Sequence, residues 1–347
     1  MTTIDLLLPA KNILVYDVAA SESGALSVLN DFYASVRKHG DKSIQWFFVI
    51  STPVLEETEN IKIIRTPWIK KNWLCRLFYD HFIAPRIIKK YNINKILSLQ
   101  NVLVPCVNVP QIVYLHQSLP FAEYRFSITE DIMLWVYQNI ISKFIFSAIK
   151  KSDMVVVQTE WMKVACIAKT GVDADKIAVI PPEIKIKPTK LFCPENMSIP
   201  TFIYPATPQI YKNHKVIIEA CKQLVGEGIT DFQILFTLTG KENKLSQRLY
   251  SDTQKYNLSI KFIGKISRDE LFEWYAKAVL IFPSYIETYG LPLLEAKIHE
   301  TPVIVAETLF AREILCDYSK FDSFSFDNSS QLHKILLKNM KTVFCNN

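Results

Sequence analysis

Apolar runs of four to six residues recur along the chain, each followed by a polar or small-residue loop and then by a stretch with helical spacing. Runs of this kind, bounded by turn residues and not alternating with polar ones, predict strands buried on both faces, as in a parallel sheet. Strands are expected at 13–18, 45–50, 61–64, 95–99, 111–115, 153–157 and 176–180. A stretch with Pro181, Pro182, Pro188, Pro194 and Pro200 interrupts the series, and repeated prolines without apolar periodicity predict a semi-rigid connection. Strands then resume at 201–205, 232–238, 260–263, 279–282 and 302–306. Helices are expected at 26–38, 160–169 and 214–225, after the capping-box sequence Ser267-Arg268-Asp269-Glu270, and at 331–341. Alternating strands and helices on both sides of the prolines predict an α/β protein with two doubly wound sheets.

The 347 residues are too many for one ordinary core, and 49% hydrophobic with 21% charged residues exclude a disordered chain. The expected organisation is 1–185, a linker 186–200, a second domain 201–330 and a tail 331–347. Seven cysteines are scattered without C-x-x-C spacing, which indicates neither a zinc site nor a disulfide framework and fits a reducing compartment. The start of the sequence lacks the layout of a signal peptide. The most apolar run, 133–149, is interrupted by Gln138, Asn139 and Lys143 and falls short of the ~20 residues of a spanning helix, so no transmembrane segment is expected.

Charge is uneven. Between Lys62 and Lys95 lie nine Lys or Arg and one Asp, in a chain whose net charge is +6, so the remainder is slightly acidic. Trp68, Trp73, Phe78, Tyr79 and Phe82 are interleaved with that charge. Such a stretch suits an anionic bilayer surface, or else is the solvated face of a helix. No nucleic-acid motif accompanies it.

The richest stretch chemically is PSYIETYGLPLLEAKIHETPVIVA, 283–306. It predicts a strand end, a loop with Glu287, a Gly-Leu-Pro turn and a helix carrying Glu295. Pro292 suits the first helical turn, where a missing N–H costs nothing. The Gly290 and Leu291 amides then lie at the positive end of the helix, ready for an anion. Carboxylates accept from sugar hydroxyls while amides donate to phosphate oxygens, so this unit can grip a polyol and a phosphate together.

The Pro-Ser, Glu, Tyr-Gly-Leu-Pro and Leu-Leu-Glu-Ala string, with seven residues between Glu287 and Glu295, resembles the signature of retaining glycosyltransferases of the GT-B fold, family 4. The resemblance implies two Rossmann-like domains facing across a cleft. It also implies transfer from a UDP- or GDP-linked sugar to a glycan or polyprenyl-linked acceptor in bacterial surface polysaccharide synthesis. It implies neither cofactor nor metal, and a cytoplasmic place, peripheral on the inner face of the membrane if the 62–95 segment binds lipid. By the same resemblance Glu287 contacts the sugar, Glu295 the ribose, and Thr288, Tyr289, Gly290 and Leu291 the donor. Lys212, at a strand-to-helix turn, neutralises the diphosphate. The family often places an arginine five residues before this lysine, where this chain has Thr207. Gly264 and Ile266 fall where the base is seated. VYLHQSLPF resembles the family's N-domain histidine motif and puts His116 near the transferred sugar; Gly24, after the first strand, is the loop position to carry over.

A single Gly24 is not a GxGxxG fingerprint, which argues against a nicotinamide enzyme. Asp173-Ala174-Asp175 invites a metal-dependent GT-A reading, but it stands in a turn between a helix and a strand. A sugar-nucleotide epimerase of the same fold, or a non-catalytic partner in glycan assembly, are the other classes considered.

Overall fold

The computed structural model describes residues 2–20, 23–182, 187–188, 190–193 and 198–344. Residues 1, 21–22, 183–186, 189, 194–197 and 345–347, among them six of the fifteen residues of the expected linker 186–200, lie outside this set. The chain divides into two compact units, Met1–Pro182 and Glu183–Asn347.

The first unit holds seven strands: β1 (Asn12–Asp17), β2 (Gln45–Ile50), β3 (Ile61–Arg65), β4 (Lys95–Ser98), β5 (Gln111–Tyr114), β6 (Met154–Val157) and β7 (Ile177–Val179). Their order is β3-β2-β1-β4-β5-β6-β7 and every pairing is parallel. Helix α1 (Ser23–Lys38) covers one face, where Leu29, Phe32 and Tyr33 pack with Val15, Phe48 and Leu97. The other face carries two composite helices. Trp73–Phe78 (α2) and Ala84–Lys90 (α3) are joined by a π-helical turn, Tyr79–Ile83. Ile132–Val136 (α4) and Ser142–Lys151 (α5) are joined by another, Tyr137–Ile141. A third helix, α6 (Glu160–Thr170), ends at Gly171, whose φ of 70° makes it a left-handed cap.

The 133–149 run lies within a longer element than its apolar stretch. It forms one continuous helix, Ile132–Lys151, of 20 residues, long and apolar enough by length and composition to cross a membrane. The interruptions are accommodated by hydrogen bonding. Buried Gln138 accepts from Phe126 N at 3.0 Å and donates to the carbonyls of Leu119 and Tyr124. Its inner side, with Ile145, Ala148 and Ile149, is part of the core against Val113 and Val155.

The second unit has six strands: β8 (Thr201–Tyr204), β9 (Gln233–Phe236), β10 (Ile260–Phe262), β11 (Val279–Phe282), β12 (Val303–Ala306) and β13 (Phe321–Phe324). They are ordered β10-β9-β8-β11-β12-β13, again all parallel. Its helices are α7 (His214–Gly226), α8 (Lys244–Lys255), α9 (Arg268–Tyr275), α10 (Leu291–Ile298), α11 (Leu309–Ile314) and α12 (Ser329–Val343). Residues 192–193 belong with this unit: Phe192 N donates to His299 O and Cys193 N to Ala276 O.

In both sheets the order reverses beside the first strand, between β1 and β4 and between β8 and β11. Open α/β sheets bind ligands beyond the strand carboxyl ends at such a reversal, because the flanking loops diverge to opposite sides and leave a crevice.

Candidate functional site

In the second unit the loops leaving β8 and β11 carry the predicted residues. After β8, the chain makes a short 3₁₀ turn, Ile210–Lys212, and passes Asn213 at φ 59° before α7 begins. The left-handed residue redirects the chain so that Lys212 ends the turn, and asparagine tolerates that conformation better than most side chains. Tyr204 Oη donates to Lys212 O at 2.6 Å. Asn213 Nδ2 donates to Phe326 O at 2.7 Å and Pro283 O at 3.3 Å, while Tyr285 N donates to Tyr211 O at 3.1 Å. The lysine loop and the Glu287 loop are therefore stitched together by backbone-directed bonds. Behind them His214 is buried against Tyr204 and Phe236, its pKa pushed down to about 3 by burial and then by the Lys212 charge.

These bonds bring Lys212 Nζ onto Glu287 Oε1 in a direct ion pair, both side chains largely shielded. Two residues 75 positions apart, each predicted as part of the site, are thus one contact at the chain reversal. Beyond Glu287, Thr288 and Tyr289 are half-buried and Gly290 adopts φ 84° as the residue entering α10. A Cβ there would stand 3.4 Å from Leu293 and Phe310, so both conformation and space favour glycine. Leu291 is exposed and Pro292 sits in the first helical turn, as its chemistry predicts.

Glu295 is placed differently from Glu287. Its side chain is 7% exposed, and Oε1 accepts from Arg268 Nη2 at 2.8 Å and Nε at 3.0 Å. Tyr275 Oη lies 3.4 Å from Oε2. Burial raises the pKa of Glu295, partly offset by the Arg268 charge. Arg268 is 56% exposed, begins α9 after the capping Ser267, and lies over the Phe272 ring. It was missed in the sequence because nothing local links a helix-start arginine to a glutamate 27 positions later.

Gly264, φ 74°, turns the chain out of β10, with its N–H on Leu238 O. Ile266 directs its side chain into the cluster of Ile203, Leu235 and Ala278. Thr207, the position without the expected arginine, is exposed.

In the first unit His116 follows β5. Its Nε2 is 2.7 Å from Leu99 O, and a carbonyl only accepts, so Nε2 carries the proton. Burial lowers the pKa of His116, and its backbone N–H donates to Asn101 Oδ1 at 2.9 Å. Gly24 lies in the first turn of α1, exposed, and a Cβ there would meet nothing within 4 Å. One acid was not anticipated: Asp17 ends β1 with Oδ1 accepting from Ala20 N, and burial raises its pKa to about 7 despite nearby Arg76 and Lys70. Its Oδ2 has no hydrogen-bond partner among the described residues. Asp173 and Asp175 are exposed, and no group of three or more His, Cys, Asp or Glu able to hold a metal occurs among the described residues.

Residues 194–341 match the family model for glycosyl transferases group 1. An O-antigen chain mannosyltransferase of Salmonella typhimurium, RfbU, is 25% identical over 246 residues, 68% of this chain and 63% of the relative. The chain spans less than two thirds of the length of the curated relatives it matches. Among solved structures, a sucrose-phosphate synthase from Thermosynechococcus elongatus superposes with TM-score 0.71 at 17% identity, covering 96% of this chain and 90% of that one. Anabaena HepE in complex with UDP-glucose superposes with TM-score 0.67 at 14% identity, with the same coverage. The second unit thus carries the group 1 glycosyltransferase match, and the two parallel-sheet units have the GT-B fold of the glycosyltransferases on which they superpose.

Proposed function

We propose that the chain transfers a sugar from a UDP- or GDP-linked donor to a glycan or lipid-linked acceptor of a bacterial surface polysaccharide, with retention of anomeric configuration and without a metal. The observation that carries this reading is the Lys212–Glu287 ion pair at the chain reversal, beside the α10 N-terminus. The named relative that is an O-antigen mannosyltransferase and the neighbour bound to UDP-glucose support the same class of donor and acceptor.

On this reading the donor diphosphate displaces Glu287 as the partner of Lys212. The ammonium and the Gly290 and Leu291 amides then stabilise charge growing on the departing phosphate, a contribution that often dominates such catalysis. Glu287, released, accepts from sugar hydroxyls and orients the anomeric carbon. Thr288 and Tyr289 line the sugar, and Gly264 and Ile266 the base. Glu295 accepts from the ribose, sharing its second oxygen or exchanging Arg268 for it. In the first unit, His116 and the exposed Gly24 are proposed as substrate ligands. The leaving phosphate takes the acceptor proton. The basic 62–95 segment favours an acceptor presented at an anionic membrane.

Incubation with UDP- and GDP-sugars and an acceptor in EDTA, followed by NMR of the anomeric coupling, tests this directly. Product of the donor's own configuration supports it. Inversion, or activity only after a divalent ion is added, counts against retention or metal independence respectively.

A further inference from the structure

The first unit has two helices with exposed apolar side chains, one of them within the basic segment. In the parallel ladder Tyr16 is level with Ser98, Ser98 with Val113, and Val113 with Val155, so these residues point to one face of the sheet. On that face Tyr79, Ala84 and Ile88 seat the Trp73–Lys90 helix, and Ile145, Ala148 and Ile149 seat the Ile132–Lys151 helix. Their outer sides therefore face the same way.

Both outer sides are apolar, and basic residues lie along both helices. On the first, Trp73 (70% exposed), Leu74, Phe78 and Phe82 stand out, with the Phe78 and Phe82 rings 5.4 Å apart. Exposed Arg86, Lys89 and Lys90 follow. On the second, Met133 (69% exposed), Ile140 and Phe144 form a stripe at seven- and four-residue spacing, joined by exposed Lys143, Lys150 and Lys151. The one carboxylate on either helix, Asp80, is turned inward to Arg76 and Tyr16.

We infer that this face of the first unit lies on an anionic phospholipid surface, both helices in the plane of the interface. Amphipathic helices with aromatic and aliphatic residues between lysines bury their apolar side at the headgroup boundary while the cations meet lipid charge. Crossing the bilayer by Ile132–Lys151 would strip Ile145, Ala148 and Ile149 from the core; lying on it leaves them in place. The inference deepens the membrane part of the proposed function and is independent of the transfer chemistry.

The full chain is sedimented with phosphatidylcholine vesicles with and without phosphatidylglycerol. Three variants are compared: Met133→Ser with Phe144→Ser; Lys143→Glu with Lys150→Glu and Lys151→Glu; and Trp73→Ser with Phe78→Ser. All change exposed side chains, and unchanged thermal midpoints confirm folding. The wild type is expected with phosphatidylglycerol vesicles only, and each variant loses about tenfold or more in partitioning, while turnover of a soluble acceptor persists. Equal binding of the second-helix variants overturns the two-helix platform. Binding that ignores phosphatidylglycerol, or a wild-type dimer that the Met133/Phe144 variant converts to monomer without any vesicle binding, overturns the lipid assignment. Should transfer fail with every donor while vesicle binding stands, the enzymatic reading alone falls.

Discussion

Asn213 shows how one residue's conformation can place another's charge. Its φ of 59° and its two side-chain bonds, to Phe326 O and Pro283 O, hold the lysine loop against the glutamate loop. Alanine there meets the full cost of the left-handed region, ~1–2 kcal/mol, which glycine avoids. Asn213→Ala should be less stable than Asn213→Gly by about 1 kcal/mol in urea unfolding, and both should raise the donor KM because both lose the stitching. A second residue-scale expectation concerns Asp17. Its folded pKa is raised to about 7 from 3.8, so between those values the native state binds more protons than the unfolded chain. Stability should fall as pH rises from about 4 to about 7 and level off above. Asp17→Asn should flatten that slope in urea titrations at successive pH values; a slope unchanged by the substitution would place its origin elsewhere.

At the scale of elements, what was legible followed how much local chemistry each segment carries. The strands with apolar runs appear within a residue or two of expectation, and Ser267 and Glu270 form the reciprocal capping box their spacing implies. Less legible was β13, Phe-Asp-Ser-Phe, an edge strand paired only to β12 with Phe321 exposed, so its sequence bears little trace of burial. Helix α8 is polar, burying only Ser246, Leu249 and Thr253, and gives a weak apolar signal. The composite helices on the first sheet were obscured for another reason: aromatic and aliphatic residues fall on both their inner and outer sides. For the candidate site, the Glu287 loop and Lys212 were readable from a motif. Arg268 and Asn213 were not, because their roles arise from contacts with residues 27 and 70 or more positions away. The last helix was half-read: α12 packs on α7 with Leu332, Leu336 and Met340 buried. Leu336→Ala should therefore cost about 2–5 kcal/mol, seen as a lower urea midpoint of the second unit.

Across the whole molecule, the same strand plan is used twice, with the chain reversal beside the first strand of each sheet and functional candidates on the loops that leave it. The two copies differ in their dress. The first carries the basic, aromatic helices; the second carries the ion pair and the α10 turn. A nucleotide-sugar that binds the second copy should slow amide exchange in the 205–213 and 283–291 loops, since ligand that selects the native state suppresses local opening. Absence of protection in both loops at saturating donor would move the donor site elsewhere.

The central claim is that Lys212 and Glu287 work on a donor sugar, and the most direct measurement is steady-state transfer by Lys212→Ala and Glu287→Gln beside the wild type. Loss of one stabilising group of this kind typically costs ~10²–10³-fold in turnover, and both variants should show a fall of that order with their folds intact. Wild-type turnover in either variant would contradict the account.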